Sequence, residues 1–228
     1  MSGRLARRIA IAVAVVLALL IALDRVGVYV ADRAAADTIK SSQHLNSAPS
    51  VDIAGFPFLT QLISGHYDQV TISASDVPVG SGSLQLSRVH VVLHSLTVSH
   101  GFHTVHAKSA DATGLITYAA LSKALGVTVR YAGDGRITAA KTLTAAGVTV
   151  RGRITTRPQL RDGALAFTDT SVADAGPLGD EALNLLTRAF TVAIPLRGIP
   201  FQVRAERLKL DNTGIVLSLG GQDLAYSR

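Results

Sequence analysis

Two stretches of this 228-residue chain alternate apolar and polar side chains for longer than an ordinary strand runs. In the first, Leu84 and Leu86 share one face, and Val89, Val91 and Leu93 continue on the opposite parity. The slip at Ser87-Arg88 predicts a β-bulge. Counting Leu96 and Val98, this segment reaches about 16 residues, some 50 Å of extended chain. The second stretch runs from Thr104 to Ile116. Compact sandwiches are built from much shorter strands, so these runs predict a long, curled sheet.

The N-terminus fixes the compartment. Arg4, Arg7 and Arg8 precede Ile9–Leu23, fifteen residues without a polar side chain. A basic segment followed by an apolar one reads as an export signal. The run is short for a span of about 20 residues, but Leu5, Ala6 and snorkelling arginines lengthen it. Asp24 and Arg25 close it with no small-x-small cleavage pattern at the join, which predicts a retained signal anchor. The alternative is a cleaved peptide and a soluble domain in the same space. In both cases Asp24 onward is expected outside the cytoplasm.

An exported domain can use disulfides, yet the chain has no cysteine. Core burial must hold it, and thiolate chemistry is excluded. Three of the 22 Lys and Arg belong to the targeting segment, leaving 19 against 16 acidic residues. That modest excess in that compartment predicts no nucleic-acid partner.

Residues 24–228 read as one α+β domain. Asp24–Leu45 has a helical stripe of Val26, Val30, Ala34 and Ala35. In Ile53–Ile72, Gly55 and Pro57 break regular structure, and Leu59, Leu62 and Ile63 then recur at helical spacing. Gly65 ends that turn, and from Tyr67 a strand begins with Val70, Ile72 and Ala74 on one face. Thr117 and Gly126 are N- and C-cap candidates for a short helix. Strands Val127–Tyr131 and Arg136–Thr144 flank the turn Gly133-Asp134-Gly135. Arg161-Asp162-Gly163 predicts a turn into Ala164–Val172, and Pro177 opens a helix through about Phe190. A corner at Pro195–Pro200, a strand Phe201–Leu210, a turn at Asp211–Gly214 and a strand Ile215–Leu219 close the chain.

Several of these features together resemble the LmeA-like family of actinobacterial envelope proteins. The residues that carry the resemblance are Asp24-Arg25, Gly55-Phe-Pro-Phe-Leu59 with Gly65 and Tyr67, and Ile116-Thr-Tyr-Ala-Ala-Leu121. Phe190-x4-Pro195-x2-Gly-Ile-Pro200 and Asp211-x2-Gly214 complete it. The family is similar to the tubular lipid-binding (TULIP) superfamily. The resemblance therefore implies a long helix packed on a strongly curved antiparallel sheet, with two shorter helices and acyl chains in an apolar groove. It also implies phospholipid binding and a link to lipomannan assembly.

The chemistry is sparse. Five of the seven histidines lie between His90 and His106. His90 and His94 share a strand face but stand about 13 Å apart, whereas zinc ligands sit about 2 Å from one centre. No metal, cofactor or catalytic residue is expected. No Gly-x-Ser-x-Gly elbow is present, and Gly80-Ser-Gly-Ser83 lacks the lysine of a phosphate loop.

Candidate site residues are apolar ones. Phe56, Pro57, Phe58, Leu59 and Ile63 form the expected mouth of a lipid groove, with Val70 and Ile72 on its wall. Arg151, Arg153 and Arg157 share one strand parity and are candidates for anionic headgroup contact, or else form an ordinary solvated face. The expected partners are a phospholipid and the membrane. The alternative function is a non-enzymatic envelope scaffold that binds a protein partner.

Overall fold

The computed structural model describes residues 2–43, 45–79, 84–99, 104–145, 148–173, 184, 188, 190, 193–196 and 203–227. Helix α1 (Ser2–Ser42) is continuous, so the apolar run and the next segment form one rod of about 60 Å at 1.5 Å per residue. There follow β1 (Ser50–Ala54), α2 (Phe58–Ser64), β2 (His66–Val79), β3 (Leu84–Val98) and β4 (Thr104–Thr117). Then come α3 (Tyr118–Leu125), β5 (Thr128–Gly133), β6 (Arg136–Ala145), β7 (Val148–Arg161) and β8 (Ala164–Ala173). The last elements are β9 (Ile194–Pro195), β10 (Arg204–Leu210) and β11 (Gly214–Ser227).

The architecture is α+β and the strand pairs are antiparallel, but the strands form two sheets where one was expected. The first has the order β1-β2-β3-β4-β11-β10 and the second β5-β6-β7-β8-β9. β11 is also far longer than the expected Ile215–Leu219, because it pairs with β4 from Gly214↔Thr117 to Ser227↔Thr104. The expected helix from Pro177 lies mostly outside the described residues, although Asn184, Arg188 and Phe190 are helical. The Pro195–Pro200 corner and the Gly80–Ser83 turn also fall largely outside them.

Register decides what each face carries. On the buried face of the first sheet, Ile72, Val91, Ala112 and Leu219 lie in one cross-strand row. The adjacent row on the outer face is Ser73, His90, Thr113 and Ser218. Fully burying one aliphatic side chain contributes about 1.5–3 kcal/mol, so this alternation fixes the register.

The parity slip at Ser87-Arg88 is not a bulge. Ser75↔Arg88 and Val77↔Leu86 keep the same register, so no residue is inserted. Instead both strands turn over together, with Asp76 in the left-handed region at φ 53° opposite Ser87. A second crease crosses four strands. Asp68, Ser95, Lys108 and Asp223 stand in one line, and Ser95 (φ 50°) and Asp223 (φ 48°) are left-handed. On one side of it Tyr67, Leu96 and Ala107 are buried, and on the other Val70, Leu93 and Ala110. Aspartate tolerates this backbone better than most residues, and five of the six non-glycine left-handed residues described are aspartates.

The second sheet has its own apolar side, with Ile137, Ile154 and Leu165 fully buried and Phe167 edge-on to Phe190 at 4.7 Å. Buried Thr156 is satisfied, because its hydroxyl donates to Thr168 O at 2.8 Å and accepts from Thr170 at 3.1 Å. Helix α3 packs on β3, β4 and β5. As expected, Thr117 caps it by accepting from the Ala120 N–H at 3.2 Å, and Gly126 ends it at φ 64°.

Candidate functional site at the junction of helix α1 and sheet

Helix α1 meets the rest of the protein through β1 and α2. Its inward side carries Asp24, Gly27, Val28, Ala31, Asp32, Ala35, Ala36 and Ile39. The expected stripe was on the wrong side: Val26 and Val30 are exposed, at 61 and 59%, as is Ala34, and Tyr29 beside them is 56% exposed. Only Ala35 of the four expected residues joins the packed face. An apolar count at helical spacing favoured the two valines, whereas two inward acids fix the true orientation.

Those acids hold backbone groups. Helix α2 begins after Pro57, which offers no side-chain cap. Asp24 supplies one from another element, its Oδ1 accepting the Leu59 N–H at 2.8 Å. A helix start leaves such N–H groups without partners, and a carboxylate there also suits the helix dipole. Arg25 donates to Asp24 Oδ2 at 2.6 Å and lies 5.4 Å from the centre of the Phe56 ring. One turn on, Gly27 faces Phe58 and Leu59 closely, and a Cβ there would be in ordinary contact with the Phe58 ring at 3.4 Å. Two turns on, Asp32 Oδ1 accepts the Ile53 N–H at 3.0 Å.

The turn between β1 and α2 has a cis Phe56-Pro57 peptide. Gly55 adopts φ 111°, and a Cβ there would run into the Gln61 side-chain amide. That amide is buried and bridges two strands: it donates to Ala54 O and accepts the Asp68 N–H, both at 3.3 Å. Gly65 closes α2 at φ 68°, where a Cβ would stand 2.7 Å from Val98 O.

The expected mouth therefore divides. Phe58 is 1% exposed and packs against Tyr67 with ring centres 6.4 Å apart. It is a core residue, and burial there pushes the Tyr67 hydroxyl pKa up. Val70 and Ile72 are likewise buried, and Leu59 is half-buried. Phe56, Pro57 and Ile63 face outward, as does Leu62, which was not among the mouth candidates.

The other candidates stand apart. Arg153 is exposed on β7, and Arg157 is half-buried with its Nε 3.8 Å from an Asp169 carboxylate oxygen. The Arg151 side chain lies outside the described residues, as do His100 and His103. His90 Nδ1 is 3.0 Å from Ser73 Oγ, and His94 Nε2 is 3.5 Å from Asp111 Oδ2. Among the described residues no three His, Asp or Glu side chains converge on one point.

Two depressions are open and partly polar. One, of about 260 Å³, lies on the outer face of the first sheet beside His90, Asp111, Glu206 and Arg207. The other, of about 460 Å³, lies where α3 meets β5 and β6, beside Lys123 and Lys141. Neither is an apolar channel of the kind an acyl chain needs.

A lock at the far end explains two further sequence motifs. Tyr118 donates to Asp211 O at 2.6 Å, tying α3 to the β10–β11 turn. Asp211 Oδ1 accepts the backbone N–H groups of Thr213 at 2.7 Å and Gly214 at 3.1 Å, an Asx turn. The hydrogen bonds from Thr213 hold the Asp211 carboxyl pKa below its usual value. Burial, then the Asp211 and Tyr131 charges, push the Tyr118 hydroxyl up to about 12.

The motifs at Asp24-Arg25, Gly55–Tyr67, Ile116–Leu121 and Asp211–Gly214 thus each have a positional role. No curated protein and no solved structure gives a significant match to the chain. The family model described as LmeA-like phospholipid-binding matches residues 22–220, and the chain belongs to that family.

Proposed function

We propose that this protein is a non-enzymatic, membrane-anchored phospholipid carrier of the cell envelope. It holds acyl chains against the aliphatic side of its curved sheets, in the TULIP-like manner, and admits them past Phe56, Pro57, Leu59 and Ile63. Family membership over residues 22–220 carries this reading. The character of the interior supports it, because only Asp24, Gln61 and Thr156 are buried polar side chains among the described residues. Asp24 and Gln61 serve the α2 junction and Thr156 is internally bonded, which leaves the inner sheet faces to Val, Leu, Ile and Ala. Apolar contact is what an acyl chain requires, at about 0.8 kcal/mol per buried methylene.

Residues 24–228 act in this reading as one lipid-binding unit outside the cytoplasm, and Ile9–Leu23 keeps it at the membrane. Arg153, Arg157 and Arg151 give a modest preference for anionic headgroups. The cargo serves lipid or lipomannan-type lipoglycan assembly.

Native mass spectrometry of the full chain after gentle detergent extraction tests the reading. A phospholipid bound in fixed stoichiometry is the expected result. A folded chain that carries none, and takes none from phosphatidylglycerol vesicles, would refute the carrier and favour a protein-binding scaffold.

A further inference from the structure

The contacts between α1 and α2 fix a height. Asp24, Arg25 and Gly27 touch α2 and the turn before it, and they are the first residues beyond Ile9–Leu23. A helix rises 1.5 Å per residue, so the start of α2 lies within about 6 Å, along the axis, of the end of the apolar run. The headgroup layer on each side of the hydrocarbon core is about 5–8 Å thick. If Ile9–Leu23 spans the bilayer, the start of α2 and the turn before it stand inside that layer.

What α2 presents there is apolar. Phe56 is 63% exposed, Leu62 45% and Ile63 83%, and Ile63 is barer than any large apolar residue of the run itself. No charged residue occurs from Phe56 to Gly65. The free flank of α1 continues the apolar surface outward with Val26, Tyr29 and Val30, about 4–11 Å beyond Leu23 along the axis. It ends where the Arg33 guanidinium sits 4.7 Å from the centre of the Tyr29 ring. Tyr29 stands about 9 Å beyond Leu23, at the outer edge of the headgroup layer, which suits an aromatic ring met by a basic side chain.

We infer that the Phe56–Ser64 segment is a wedge that inserts into the leaflet carrying the anchor, held at that depth by Asp24 and Arg25. The occupant of its exposed face is lipid. The mouth of the carrier then opens onto the leaflet, and acyl chains pass between bilayer and protein without crossing water. The inference rests on Ile9–Leu23 being a retained span, and for lipid passage on the carrier reading.

The chain has no tryptophan, so one introduced residue reports its own surroundings. Full-length Ile63→Trp, Leu17→Trp and Tyr131→Trp variants are reconstituted in phosphatidylcholine–phosphatidylglycerol vesicles, with and without lipids brominated near the headgroup or deep in the chain. The probe at position 17 should be quenched by deep bromines. The probe at position 63 should shift to the blue and lose most of its emission to shallow bromines, while that at 131 is unchanged. A quenched position 17 with an unquenched position 63 overturns the wedge, whether the residue there is solvated or covered by protein. An unquenched position 17 removes the span and the wedge with it. Lipid retained by the protein in native mass spectrometry is scored separately, so the carrier reading stands or falls on its own result.

Discussion

Asp24 illustrates how a residue at the end of an apolar run is misread. In the sequence it looks like the stop signal of an apolar run, yet its carboxylate is buried and caps α2. Asp24→Ala should leave α1 helical and release α2. Hydrogen exchange should show faster exchange at the Leu59 amide with little change in β6 and β7. The clue lay in the spacing: Asp24 and Asp32 are two turns apart on one side of the helix, and an acid on a packed face needs a donor. Tyr118 gives a pH prediction. A phenol whose pKa is near 12 when folded and about 10 when unfolded favours the folded state below pH 10. That contribution fades as the pH rises from 10 through 12. An alkaline absorbance titration should find one tyrosine ionising near pH 12, missing in Tyr118→Phe. The variant should be less stable than the parent at neutral pH, and the difference should narrow in strong alkali.

The cap and turn residues among the described residues were legible because their signals are local. Thr117, Gly126, Gly133-Asp134-Gly135 and Asp162-Gly163 all stand where turn and capping chemistry put them. Thr117→Ala should cost about 1 kcal/mol, seen as a fall of about 2–4 °C in Tm for a domain of this size. Gly65→Ala should cost more, about 1–3 kcal/mol, because a left-handed backbone and a close carbonyl coincide there. If Gly65→Ala melts like the parent, α2 does not need that exit angle. The creases were half legible. The parity change at Ser87-Arg88 was visible, but a single strand cannot show whether its neighbour slips or turns with it. That depends on Asp76 opposite Ser87, and for the second crease on Asp223, far away in sequence. The length of β11 was hidden for the same reason, since Gly220 and Gly221 look like a strand end until β4 pairs with them.

At the scale of the whole molecule, the apolar and basic features act over different ranges, and salt separates them. Charge attraction to an anionic surface gives about 1 kcal/mol per basic residue near it and is screened beyond about 8 Å at physiological salt. Burial of apolar side chains is not screened. A charge at Phe58 would report on folding, because that ring is in the core. Ile63 is the informative position: it is exposed in the described structure, so Ile63→Asp should alter stability by less than about 0.5 kcal/mol in detergent. In bilayers it should slow phospholipid exchange with acceptor vesicles at every salt concentration. Arg153→Glu, on the open face of β7, should slow exchange with phosphatidylglycerol vesicles at low salt only. With neutral phosphatidylcholine vesicles it should match the parent. Exchange rates measured across a salt series with both vesicle types distinguish the two. If Ile63→Asp recovers at high salt, its effect is electrostatic repulsion from the surface, and the apolar contact assigned to α2 is wrong.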